Sequence, residues 1–207
     1  MSRLPVRNAM FSGILVIALP IGIAPAVADV VSLRGEAQVG ATGGKGVGGD
    51  RKAEAFHQKS PHVGYGVLVG AEFLFVDGWI QHRQLTNGSR LTTWTEFGAG
   101  LDVELGLAEN GAFFEAGMGL AFGLGTGQQV DPPLSNDEIT DKGVYLQAFA
   151  GVGTQLSRFL DVGVRVPVSA GYYVKSGQGA VANDLSTHYT ALHGELLGYL
   201  RLRIKAL

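Results

Sequence analysis

Residues 112–125 read AFFEAGMGLAFGLG, and this stretch decides the fold. Alternate positions separate into two sets. Phe114, Ala116, Met118, Leu120, Phe122 and Leu124 form one face. Phe113, Glu115, Gly117, Gly119, Ala121, Gly123 and Gly125 form the other. A period of two predicts a β-strand with unlike faces. In a soluble sheet the apolar face covers a core and the opposite face meets water. Here the opposite face is mostly glycine with one carboxylate, too thin for a solvated surface. A small closed barrel in a membrane accounts for both faces: apolar residues meet lipid, while glycine and charge fill a narrow lumen.

The bulk composition agrees. Of 207 residues, 46% are hydrophobic and only 16% charged, against about 25% charged in an average soluble domain. Glycine contributes 32 residues, about double its usual share of roughly 7%. The length fits one domain. A net charge of −2 argues against a nucleic-acid partner. Cysteine is absent, which excludes disulfides and thiolate metal sites.

Residues 1–28 have the layout of a secretory signal peptide. Arg3 and Arg7 supply a positive start, Ala9 to Ala24 an apolar stretch, and Ala26-Val27-Ala28 an A-x-A cleavage site before Asp29. Pro20 and Pro25 interrupt the apolar run before it reaches the ~18–20 residues of a membrane helix. The domain reading is therefore a leader at 1–28 and a barrel at 29–207.

The alternation extends over eight segments. Strands are predicted at about 30–40, 62–76, 79–86, 90–107, 112–125, 143–156, 160–174 and 188–206. Asp77-Gly78, Asn87-Gly88 and Asn110-Gly111 are hairpin signals. Segments 41–61, 126–141 and 175–186, rich in glycine or polar residues, are predicted as long loops. Connections two, four and six are short. Pro167 lies within the seventh strand, where it costs a ladder hydrogen bond. Aromatic residues fall into two bands that predict interfacial girdles. Phe73, Phe75, Trp79, Phe113, Phe114 and Phe159 lie near the short turns. Tyr65, Trp94, Phe122, Tyr145, Tyr172, Tyr173 and Tyr189 lie toward the long loops, Trp94 and Tyr145 with inner-face parity.

This pattern, with its even strand number and long-short asymmetry of connections, resembles the small eight-stranded bacterial outer-membrane β-barrel superfamily of the OmpA/OmpX-like type. The resemblance covers about 29–207 and is one of pattern and topology. It implies an all-β, antiparallel, up-and-down transmembrane barrel in the bacterial outer membrane. The implied partners are outer-membrane lipids, with surface ligands or envelope proteins reached through the long loops.

The inward set is rich in charge: Arg34, Glu36, Glu72, Glu96, Asp102, Glu104, Glu115, Asp161, Arg165, Glu195, Arg201 and Arg203. In a lumen with little water such charges should be paired and hydrogen-bonded. They are read as a structural charge network, not a catalytic set. Gly44 to Gly49 fits a GxGxxG spacing, but without a helix to follow it the ordinary reading is a surface loop. The histidines, His57, His62, His82, His188 and His193, lack tight ligand spacing. Acidic residues at 131, 137, 138 and 141 read as a solvated loop, and Ser186, His188 and Glu195 as a chance combination. No catalytic, cofactor-binding or metal-binding set is assigned. The expected function is a structural or surface-interaction barrel presenting long loops. The alternatives are a lipid-modifying barrel enzyme, a narrow pore, or a soluble periplasmic barrel with apolar residues inside.

Overall fold

The computed structural model describes residues 31–49, 62–88, 90–108, 110–130, 133–178 and 186–206. Eight strands form within them: β1 (Val31–Gly49), β2 (His62–Phe73), β3 (Val76–Thr86), β4 (Arg90–Gly106), β5 (Ala112–Val130), β6 (Pro133–Ser157), β7 (Leu160–Gln178) and β8 (Ser186–Ala206). Each pairs antiparallel with its neighbour in sequence, and β1 pairs with β8, so the sheet closes into a barrel. Closure removes both sheet edges. The leader predicted at 1–28 lies outside the described residues.

The two faces lie as the alternation predicts. Leu146 is 67% exposed, Val69 65% and Met118 63%, on the outer wall. Glu115 and Arg201, by contrast, are each only 1% exposed and lie inside. A soluble barrel, which would collect the apolar side chains at its centre, is ruled out by this arrangement.

The glycine face of β5 now has a reason. Aromatic rings from β3, β4 and β6 lie directly against it: Trp79 of β3 over Gly119, Trp94 of β4 over Gly123 and Gly125, and Phe149 of β6 over Gly117. A side-chain carbon at any of these four positions would overlap the ring. Gly98, Gly143 and Gly153 seat Trp79, Tyr173 and Phe113 in the same way. A barrel of eight strands has little interior volume, and glycine on one strand makes room for a large ring from another.

Several boundaries differ from the sequence reading. The second turn is Leu74-Phe75, closed by the Phe73↔Val76 pair, and Asp77-Gly78 is inside β3. Leu74 adopts φ 60°, which costs a non-glycine residue about 1–2 kcal/mol. In return, a strand beginning at Val76 sends Asp77, Gln81 and Arg83 inward to buried partners. The signals at Asn87-Gly88 and Asn110-Gly111 do mark turns, with φ of 89° at Gly88 and 83° at Gly111. Asn110 Oδ1 accepts from the Ala112 amide at 3.2 Å.

The predicted long loops are largely strand. Residues 41–49 continue β1 along β8, with a bulge between Gly46 and Gly48, so the GxGxxG stretch is sheet. Residues 126–130 and 133–141 pair with one another as a β5–β6 ribbon, and 175–178 continue β7 against β6. Glycine and polar residues are usual loop markers, but here they meet cross-strand partners whose ladder bonds override them. Residues 50–61, 131–132 and 179–185 lie outside the described residues. Pro167 is accommodated where pairing with β8 lapses, between Arg165↔Leu197 and Val168↔Gly194.

The predicted aromatic girdles divide between the outer wall and the lumen. Phe73, Phe75 and Phe159 are exposed on the outer wall near the short turns, as are Tyr65, Phe122 and Tyr172 further up. Phe113, Tyr145, Tyr173 and Tyr189 are buried in the lumen, with Trp79 and Trp94 packed against the tyrosine cluster. Phase along each strand decides this, since Trp94 shares the inward phase of Glu96 on β4 and Phe113 that of Glu115 on β5, whatever their height in the wall.

Candidate functional site: the lumen

The half of the lumen near the short turns is filled by ion pairs. Arg165 of β7 and Arg201 of β8 share Glu36 of β1 and Glu115 of β5. Arg165 Nε lies 2.9 Å from Glu115 Oε1 and its Nη2 lies 3.1 Å from Glu36 Oε1. Arg201 Nε lies 2.8 Å from Glu36 Oε1, and its Nη2 pairs with Glu115. Arg201 also reaches Glu104 at 3.3 Å, and Arg203 joins Glu104 to Asp161, the latter at 3.3 Å. Arg34 bridges Asp77 and Asp102, the second at 2.9 Å. Glu72 accepts from Ser32 Oγ at 3.1 Å.

Rings brace these cations. The Arg165 guanidinium lies 4.8 Å from the centroids of both Phe149 and Tyr199, and that of Arg201 lies 4.7 Å from Tyr199. These distances are within the ~6 Å range of cation–π attraction. Taking charges out of water is costly, and the attraction between them repays it only with full hydrogen bonding. The Glu36 and Glu115 carboxylates each receive bonds from two guanidinium groups, which meets that condition. Gln38 donates to Glu36 at 2.8 Å, and Gln81 donates to Gln38 in turn.

The other half, toward the longer strand extensions, has a different make-up. Tyr145, Tyr173 and Tyr189, from β6, β7 and β8, stack in a row, with centroids 5.8 and 5.3 Å apart. Trp94 of β4 lies 6.4 Å from both Tyr145 and Tyr173. Glu96 is the floor of this half: Trp79 Nε1 donates to it at 2.6 Å, Tyr145 Oη also donates, and Arg83 approaches to 3.9 Å. Arg83 pairs with Glu195, to which Thr42 Oγ1 donates at 3.4 Å. Lys175 lies 3.7 Å from Asp141, which accepts from Tyr189 Oη at 2.6 Å. Among these side chains is a cavity of about 160 Å³. A smaller space of about 30 Å³ lies beneath it, between Glu96 and the Arg34 and Arg165 side chains.

The charged residues singled out from the sequence therefore fall into two groups. Arg34, Glu36, Asp102, Glu104, Glu115, Asp161, Arg165, Arg201 and Arg203 meet in the turn-side half. Glu96 and Glu195 belong to the aromatic half, and Glu72 joins Ser32 alone among the hydrogen bonds described. The sequence reading missed Asp77 and Arg83: Asp77 falls before the strand predicted at 79–86, and Arg83, though within it, sits in a stretch (WIQHRQLT) too irregular for its inward phase to stand out. It missed Lys175 and Asp141 because it placed them in loops. Parity was the available signal: 77, 79, 81 and 83 fall in one phase, and so do 141, 145 and 147. His188 and Glu195, one even and one odd, lie on opposite faces of β8, His188 against Tyr172 outside and Glu195 against Arg83 inside.

No protein-family model matches the chain, and no curated protein matches it. Solved structures do. Neisserial surface protein A is 12% identical, with a TM-score of 0.52, over 83% of this chain and 96% of that one. The outer membrane protein OprG from Pseudomonas aeruginosa is 11% identical, with a TM-score of 0.47, over 85% and 96%. Ail, the attachment invasion locus protein of Yersinia pestis, is 7% identical, with a TM-score of 0.43, over 85% and 99%. At these identities the likeness is one of fold: the chain has the architecture of small eight-stranded outer-membrane barrels.

Proposed function

We propose that this chain is an integral barrel of the bacterial outer membrane, exported by its leader. Its work is structural and surface-directed, not catalytic. The observation that carries the reading is the inverted wall: leucine, valine, isoleucine and phenylalanine cover the outside of a closed cylinder whose inside holds paired charge. An apolar exterior of that kind is stable only against lipid. The fold shared with Neisserial surface protein A supports the same placement.

On this reading the ion pairs of the turn-side half are a plug that fills the lumen and ties the strands together across it. The connections around 50–61, 131–132 and 179–185, with the strand ends that carry them, are the parts offered to ligands or envelope proteins outside. Membrane fractionation with heat-modifiable gel migration tests the proposal. The expected result is a chain that resists a carbonate wash and migrates faster unheated than boiled. Release by carbonate, with one mobility under both conditions, would overturn it.

A further inference from the structure

We infer that the aromatic half of the lumen is a binding site for one small neutral sugar ring, a monosaccharide. Such binding is additional to the structural role, and the cavity's size points to it. About 160 Å³ is close to the roughly 150 Å³ that admits a single six-membered ring such as benzene. The cavity ends on Glu96, and the ion pairs of the other half lie beyond it. The space is a cul-de-sac and favours holding a ligand over passing it.

The lining decides the chemistry. On one side is an aromatic bank of Trp94 and the stacked tyrosines. Trp94 is held against the Gly123 and Gly125 backbone and lines the cavity with the rest of its surface. It offers the flat apolar surface on which the C–H face of a pyranose packs. Ser169, Gln147 and Thr42 also line the space with hydroxyl and amide groups, which can donate and accept in the same geometry as sugar hydroxyls. A purely apolar ring would displace water from those groups without replacing its hydrogen bonds.

Charge argues for a neutral guest. The charged side chains lining the cavity are already matched: Arg83 with Glu195 and Glu96, Lys175 with Asp141. A cation or an anion entering here would have to break a pair whose side chains are largely buried. Hydroxyl groups can bridge paired charges without upsetting the balance. Pockets of this make-up, apolar walls with a few placed polar groups, are the usual form of small-ligand sites.

The test uses the purified full-length mature barrel in detergent micelles. Glucose, galactose and N-acetylglucosamine are titrated and followed by saturation-transfer NMR and tryptophan fluorescence. Choline serves as the cationic probe and indole as the apolar one. At least one sugar should bind saturably, with a Kd in the millimolar range expected of so small a ligand. Gln147→Leu and Ser169→Val should weaken binding about tenfold while leaving the heat-modifiable mobility intact. Trp94→Leu should abolish it. Absence of saturable binding by all three sugars, or saturation by choline or indole alone, would overturn the inference. So would sugar binding unchanged in all three variants. Because mobility is read in the same samples, loss of the barrel itself is distinguished from loss of the site.

Discussion

On the turn side of the lumen, Glu36 and Glu115 are each met by the guanidinium groups of both Arg165 and Arg201. On the other side, Trp94, Tyr145, Tyr173 and Tyr189 surround a space. The same eight strands supply both halves. The difference lies in how the contents fill the available volume. Flexible arginines bend toward two or more carboxylates at once, so charge leaves only about 30 Å³ open on this side. Rigid rings can only stack or tilt, and glycine seats on adjacent strands fix two of them, Trp94 against Gly123 and Gly125 and Tyr173 against Gly143. The charged half therefore secures the wall, and the aromatic half keeps its shape with space left inside.

The contrast is broken most directly by removing one arginine. Arg201→Met should destabilise the barrel by about 3–5 kcal/mol, because Glu36 and Glu115 are left buried with a shared single partner. The measurement is the urea midpoint of the heat-modifiable band in detergent. A loss under about 1 kcal/mol would mean the ion pairs are incidental to the wall. Gly123→Val comes next. The new side chain should lift Trp94 from its seat and cost about 1–3 kcal/mol through overpacking. In a Trp79→Phe background the emission of Trp94 should then shift to the red. The smallest effect is expected for Tyr145→Phe, which removes the weak 3.3 Å bond from Trp94 Nε1 and the hydrogen bond to Glu96, where Trp79 still donates. A cost of about 1–2 kcal/mol in the same unfolding assay would place that bond among ordinary charge-assisted ones.

Much of the cylinder was legible in the sequence because period-two alternation is a property of neighbours along the chain. Parity alone places Glu115 inside and Met118 outside, and the structure agrees on both. Strand ends were less legible, since ladder bonds are made with residues far away in sequence. Gly44 to Gly49 looks like a loop until β8 lies beside it. Asp77-Gly78 looks like a turn until Arg34, 43 positions earlier, draws Asp77 inward. The aromatic half was hidden for a related reason: Tyr145, Tyr173 and Tyr189 are scattered in sequence, and only the register of β6, β7 and β8 aligns them.

Arg201 carries one more consequence. It belongs to the final strand, yet it neutralises Glu36 on the first, 165 positions away, and Glu115 midway along the chain. A half-assembled sheet lacking that strand would carry two acids on a single counterion. Its release into hydrocarbon is then electrostatically disfavoured until the seam between first and last strands has zipped. The cluster thus acts as a latch that rewards completion and holds back an unfinished cylinder.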